Sequence, residues 1–373
     1  MTAKTPHRPS ILEIAKQAGV SPATVSRAFN QPELLRPETR AHIAAVAQRI
    51  GFRPNRVGRS LRAGRTRTIG LLLPTLANPV FADCFEGAEQ YARKAGYSVM
   101  MGITGYDPSV ESECVQALID HQIDGLILTV GNPSRNATLR ALDEAGMPHI
   151  LAYNESNSHP FVSVDNKAAA HDMVSRLSAL GHRRIAFVSG PLTASDRARR
   201  RLQGAQACAK TAGLPPIAHW VMPAHTESSA PMLRDMLAHP DAPSALFCSN
   251  DLLAVSVIAQ LASLGIRVPD DVAVCGFDGA SIGALMVPAL TTVAQPSREI
   301  GATACALLLG CLEGDKPSSV RLPHRISDGG TATALCITNP SEEAKRPHEG
   351  QRRRAAASVA AHSFPPSPRK RST

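Results

Sequence analysis

No run of about 20 apolar residues occurs anywhere in the 373-residue chain, because charged residues interrupt every apolar stretch well short of a bilayer-spanning helix. The segment Met1 to Ser10 is polar and holds two prolines, so it is not the apolar core of a secretory signal, and the expected compartment is the cytoplasm. Cysteine pairing is missing too: the eight cysteines form no CxxC and no Cys/His cluster at metal spacing, and they read as reduced, buried small hydrophobes. The thirteen histidines make no HExxH or HxH group, so neither a metal site nor any other cofactor is expected. There is no GxxxxGK[ST] and no GxGxxG after a strand, which removes the kinase and dehydrogenase readings.

What is present is charge, unevenly placed. The net +9 divides into 13 Lys and Arg against 3 acids in residues 1–67, 8 against 3 in residues 341–373, and 19 against 25 between them. A mildly acidic body therefore carries a basic head and a basic tail. That arrangement suits a small polyanion-binding module better than an evenly charged basic enzyme.

The head reads as helices. Ile11, Leu12, Ile14, Ala15 and Ala18 recur at helical spacing, Ser10 and Glu13 form a capping box, and Gly19 ends the run. Ser21 caps a second helix with Pro22 at its first position, which buries Val25, Ala28 and Phe29. A third runs from Pro37 to Ile50, with Ile43, Val46, Ala47 and Ile50 on one face and Gly51 as the stop. Two short helices joined at Gly19-Val20 and buttressed by a third match a helix-turn-helix. Residues 52–67 are arginine-rich and without an acid, and they hold too little apolar bulk for a core of their own.

From Thr68 short apolar strands alternate with amphipathic helices. The runs at 69–74, 97–103, 124–130, 149–153, 185–190, 244–250 and 272–277 are of parallel-strand type, with helices such as Phe81 to Ala95 and Val110 to His121 between them. Seven or more strands in this length predict two doubly wound lobes. The expected fold class is an N-terminal all-α helix-turn-helix head followed by an α/β core of two doubly wound parallel-sheet lobes. The expected division is 1–52 for the head, 53–68 for a hinge helix or linker, 69–335 for the core, and 336–373 for a basic tail too poor in apolar residues to pack.

Ligands of open α/β sheets sit at the carboxyl ends of strands, so polar groups just after the apolar runs are candidates. Asn78 and Phe81 follow the first core strand, Asn154 the fourth, Asn250 the run SALFCS, and Asp278 the run VAVCGF. For each of them, strand-end capping or turn formation is the alternative role, and Asp251 is expected to act as a helix N-cap.

The order ILEIAKQAGVSPATVSRAFNQPELLRPETR, then GFRPNRVGRSLRAGRTRTIGLLLP, resembles the LacI family of bacterial repressors. LGHRRIAFVSGP, RRRLQGAQACAKTAGL and LFCSNDLLAVSVIAQLASLGIRVPDDVAVCGFD carry the likeness into the core, from about Ile11 to Ala332. Within the family LLPTLANPVFAD, GYDPSVES and FDGASIG look most like the gluconate-operon repressors. The resemblance implies a periplasmic-binding-protein-like core, a homodimer, pseudo-palindromic operator DNA as partner, and a sugar or sugar-acid effector, gluconate-like first, bound between the lobes. By motif position it places Pro22, Ala23 and Arg27 on base edges, with Ser21, Thr24, Arg36, Thr39, Asn55 and Arg56 at phosphates. It also implies Leu61 as a minor-groove wedge, against packing on the core as the alternative. Arg201 is placed where the family holds a hydroxyl or carboxylate, although neighbouring Arg197, Arg199 and Arg200 leave that register open by one residue.

Two rivals follow from the residues. Gly279-Ala280-Ser281-Ile282-Gly283 satisfies GxSxG, but only Asp315, Asp328, His324 and the low-complexity tail remain downstream to complete a triad, and no HGGG-type oxyanion motif lies upstream, so no enzyme is expected. A solute-binding protein without DNA function would fit the core alone, and it would lack the basic head.

Overall fold

The computed structural model describes residues 9–52 and 65–335. Asn55, Arg56 and Leu61 lie outside them, as does the tail after 335.

In the head, α1 (Ile11–Ala18) starts where the Ser10 hydroxyl accepts the Glu13 N–H and stops at Gly19 in the left-handed conformation. Helix α2 (Pro22–Asn30) is capped by the Ser21 hydroxyl, which accepts the Thr24 N–H at 3.1 Å. Helix α3 (Pro37–Arg49) closes the unit, and Ile14, Val25, Ile43, Val46 and Ala47 form its core. Ala28 and Phe29 are only half-buried, Phe29 lying 5.6 Å from the ring of Phe52. The exposed side of α2 is the one that carries Pro22, Ala23 and Arg27.

Beyond the head, the chain enters its core under a clamp: the Asp124 carboxylate accepts the N–H groups of Thr66 and Arg67 at 2.8 Å each. The first lobe is a six-stranded parallel sheet built from β1 (Thr68–Leu73), β2 (Ser98–Ile103), β3 (Gly125–Leu128), β4 (His149–Ala152), β5 (Phe161–Val164) and β11 (Val320–Leu322) in the order β11-β5-β4-β3-β1-β2. The second contains β6 (Ile185–Ser189), β7 (Ala218–Val221), β8 (Ala245–Cys248), β9 (Ala273–Asp278), β10 (Thr291–Ala294) and β12 (Arg325–Ser327) in the order β12-β10-β9-β8-β6-β7. Only β12 runs antiparallel, against β10. Each sheet is covered on both faces, which explains why its central strands read as unbroken apolar runs.

Three connections cross between the lobes: after β5, after β10 and between β11 and β12. The third exchanges the last two strands between sheets, so each lobe holds a piece of chain remote in sequence. Strands β5, β7, β10, β11 and β12 do not stand out as apolar runs: each is only three or four residues long, and β7, β11 and β12 also carry exposed or half-exposed positions. No helix among the described residues is long and apolar enough to cross a membrane.

Glycine decides how closely two helices of the first lobe cross. A Cβ on Gly301, in helix Ser297–Glu313, would fall 1.9 Å from the Cys84 carbonyl oxygen, and one on Gly87, in helix Pro79–Lys94, would fall 1.9 Å from that of Arg298. Both obstacles are backbone, so neither can swing aside. Gly301→Val is expected to cost about 3 kcal/mol through overpacking and to lower the thermal midpoint by roughly 6 to 12 °C for a core of this size. Circular dichroism melting is the check, and a midpoint equal to wild type would contradict the close crossing.

Candidate functional site

The carboxyl ends of both sheets face one cleft, and the side chains that line it come from both lobes. Asn78, Val80, Phe81, Tyr106 and Tyr153 come from the first lobe, and Arg197, Arg201, His225, Asn250 and Asp278 from the second. Tyr106 stacks on His225 across the cleft at 4.3 Å between centroids, and the cavity volume is about 30 Å³. That is room for roughly one water, so the lobes must part for anything of sugar size to enter.

Asp278 is the centre of the polar network. Its carboxylate accepts the Asn78 amide at 2.8 Å and the Gln295 amide at 2.8 Å, with Arg201 Nη1 at 3.5 Å. Asp278 itself sits at φ +128°, Tyr106 at +65° and Tyr153 at +66°, so three strained non-glycine residues gather at one place. Strain of this kind persists only where surrounding contacts enforce it, and it concentrates at ligand clamps. Burial pushes the Asp278 carboxyl upward, and the Arg201 guanidinium opposes that shift.

Arg201 is buried on helix Asp196–Thr211. Its guanidinium lies 3.4 Å above the Phe277 ring, Nη1 donates to the Ser249 carbonyl at 2.5 Å, and Nε donates to the Asn166 side chain at 2.9 Å. Burial lowers its pKa to about 10, which leaves it charged at neutral pH. Arg197 is one helical turn earlier and therefore on the same face; it donates to the Val130 carbonyl at 3.2 Å and lies 3.6 Å from Asp196. Arg200, off that face, pairs instead with Asp196 and Glu155. Residues 197 and 201 thus face the cleft together, while 200 does not line it.

Of the candidates named from strand ends, Asn78, Phe81, Asn250 and Asp278 line the cleft, as does Arg201. Asn250 also caps helix Asp251–Ser263, its Oδ1 accepting the Leu253 N–H at 2.9 Å while Nδ2 donates to the His225 carbonyl at 2.6 Å. The N-cap is therefore Asn250 and not Asp251. Asp251 instead lies fully buried beneath the 278–280 turn, where it accepts from Ala280 N–H at 2.7 Å and from the Thr292 hydroxyl at 2.5 Å. Burial, reinforced by Asp278, lifts its pKa to about 8. Asn154 is fully buried and bonds the Val130 N–H and carbonyl at 2.8 and 2.9 Å, and Asp196 as well; it braces the wall rather than lining the cleft.

Sequence reading missed Tyr106, Tyr153, Arg197, His225 and Gln295. Gln295 directly follows β10 and obeys the same strand-end rule, and Arg197 is four residues before Arg201. Tyr106 lies three residues after β2, within reach of that rule, whereas His225 follows β7, a strand that gives no apolar run. Burial, with Arg197 nearby, depresses His225 to about 4, so its ring is neutral at pH 7, and its Nε2 is buried without a hydrogen-bond partner.

Among the described residues no hydrogen bond joins Ser281 of the GxSxG segment to a histidine. Ser281 is exposed at the start of a four-residue helix, and His324 is bonded to Asp172 at 3.0 Å.

Residues 10–55 match the family model "Bacterial regulatory proteins, lacI family", and residues 174–332 match "Periplasmic binding protein-like domain". The chain is 33% identical over 329 residues, 87% of its length and 98% of the other's, to the HTH-type transcriptional regulator GntR of Escherichia coli (strain K12). It is 31% identical over 323 residues to the catabolite control protein A of Priestia megaterium, covering 85% of this chain and 97% of that one. The fold is similar to that of the lac repressor dimer bound to operator and the anti-inducer ONPF, with a TM-score of 0.79 and 26% identity over 88% of this chain and 100% of that one.

Proposed function

The chain belongs to the LacI family of DNA-binding transcriptional regulators, and on that premise we propose that it is an operator-specific repressor whose DNA affinity is set by a sugar acid held between its lobes. The observation that carries this reading is the pairing of a helix α2 whose exposed side bears Pro22, Ala23 and Arg27 with an interlobe cleft centred on Asp278 and two arginines.

In the mechanism, two heads of a homodimer seat α2 in successive major grooves. Arg27 is the long donor of the exposed set and suits guanine O6 and N7, while Pro22 and Ala23 offer apolar contact. Ser21 and Thr24, whose hydroxyls are 2.9 Å apart at the helix N-terminus, together with Arg36 and Thr39 at the start of α3, suit phosphates. Asn55, Arg56 and the wedge Leu61 complete the proposed contact set from the segment that joins head to core.

The cleft chemistry favours an acidic polyol. A guanidinium fork matches a carboxylate, and Arg197 and Arg201 both reach the cleft. Asp278, Asn78, Gln295 and the unpartnered His225 Nε2 match hydroxyls, which donate and accept. Opening the Tyr106–His225 stack for the ligand changes the relative placement of the lobes, and linkage requires operator to change ligand affinity by the same factor. Gluconate is the proposed effector, by its carboxylate and its row of hydroxyls.

Fluorescence anisotropy of the full chain on DNA selected from a random library tests this. Affinity is expected to exceed that for random DNA by at least about a thousandfold, to fall steeply with salt, and to change on adding gluconate but not ribose. A flat salt response, or equal binding to random DNA, would overturn the repressor reading; indifference to gluconate would overturn the effector.

A further inference from the structure

Away from the cleft, at the amino ends of β4 and β5, three side chains from separate segments converge. Asp143 stands near the end of helix Ala137–Glu144, His149 opens β4, and His159 is two residues before β5. Their ligand atoms all lie within 4.8 Å of one another. We propose that Asp143, His149 and His159 bind a divalent transition-metal ion of the zinc class.

Hydrogen-bond accounting carries the argument. His149 Nδ1 is 2.9 Å from the Met147 carbonyl oxygen, which can only accept, so Nδ1 carries the ring hydrogen and Nε2 bears a lone pair. That Nε2 is buried, has no hydrogen-bond partner, and faces Asp143 Oδ1 at 3.7 Å. A lone pair turned on a carboxylate oxygen gains nothing unless a proton or a cation lies between them. A cation placed there would also meet His159 Nε2, which lies 3.0 Å from the other oxygen of the same carboxylate.

The surroundings fit one. A metal-bound imidazole usually donates its other N–H to a carbonyl or carboxylate, as His149 does to Met147. His159 Nε2 is 3.0 Å from Asp143 Oδ2, and its Nδ1 is 3.3 Å from the Ser156 hydroxyl. With its ring hydrogen on Nδ1, hydrogen-bonded to Ser156 Oγ, His159 would turn the Nε2 lone pair to the ion. Two imidazoles and one carboxylate are a borderline-soft set suited to Zn²⁺, Co²⁺ or Ni²⁺ and poor for Mg²⁺ or Ca²⁺. Ligand atoms about 3.3 Å apart surround a tetrahedral ion with bonds near 2.0–2.1 Å. The adjustment falls to Asp143, whose side chain is half exposed. Such an ion would tie the end of helix Ala137–Glu144 to β4 and to the loop before β5. None of these residues is spaced as a sequence motif, which is why the sequence predicted no metal.

Competition titration of the metal-free full chain against a chromophoric chelator, with Zn²⁺ as the probe, reads the site. One ion per chain is expected, with affinity reduced at least about tenfold in Asp143→Asn, His149→Gln and His159→Gln. Asp143→Asn, at an exposed position, keeps the test valid if a histidine variant fails to fold. Co²⁺ loading should give d–d bands without thiolate charge transfer, because no cysteine is a proposed ligand. Failure to bind Zn²⁺, binding unchanged in Asp143→Asn and His159→Gln, or a thiolate band would each overturn the assignment.

Discussion

Arg201→Met is expected to abolish the effector's influence on operator binding and to destabilise the core by about 3 to 5 kcal/mol, the usual result of stripping one partner from a buried ion pair. Met fills the space over Phe277 but offers nothing to Asp278, which is 3% exposed and would keep only the Asn78 and Gln295 amides. The carboxyl, already raised by burial, would rise further without its guanidinium. An acid whose folded pKa lies above its unfolded value is stabilising below that unfolded value and loses the contribution as pH rises through the folded pKa. The deficit of Arg201→Met should therefore be smallest in acid and grow toward neutrality. Adding Asp278→Asn removes the orphaned charge and should restore much of the stability without restoring the effector response. Thermal melts across pH, paired with operator titrations in the presence of gluconate, separate the two effects. Single and double variants of equal stability would show that Arg201 and Asp278 are not coupled.

Arg27→Ala should lower operator affinity by about 5- to 160-fold per head, the cost of one bidentate guanine contact. The residue is exposed on α2 and outside the Ile14–Val25–Ile43 core, so the head should melt as wild type does. Arg36→Ala, at the N-cap position of α3, makes the informative contrast. Removing a phosphate-binding guanidinium there should weaken operator and random DNA alike and reduce the salt slope by about one. Anisotropy at several salt concentrations with both DNAs distinguishes these patterns. Should Arg27→Ala reduce binding to random DNA as much as to operator, Arg27 is not reading bases.

The head was legible almost residue by residue. Ser10, Gly19, Ser21 and Pro22 act through hydrogen bonds and dihedrals within three or four residues, and the structure shows each in the expected cap or first-turn position. Helix α3 likewise ends one residue from where its apolar face runs out. In the core the strand-end rule found Asn78 and Asp278, because a chain leaving the carboxyl edge of a sheet has only the cleft to enter. The same rule misplaced Asn154. Its amide had nearer partners on Val130, and only the packing of two neighbouring strand ends brings those within reach. The Asn250 and Asp251 exchange has a similar origin: adjacent acceptors compete for one cap, and the winner depends on whether a turn 29 residues away offers Asp251 another N–H.

From the amino-acid sequence alone followed the basic three-helix head, the alternating α/β core, and the family to which both belong, since caps, periodicity and motif order are local properties. The tertiary structure alone decided which arginines face the cleft, that Tyr106 and His225 close it, that the last two strands trade lobes, and that Asp143, His149 and His159 meet. Those facts depend on how segments far apart in the chain are brought side by side when each sheet buries both of its faces, and no short window of sequence carries that information.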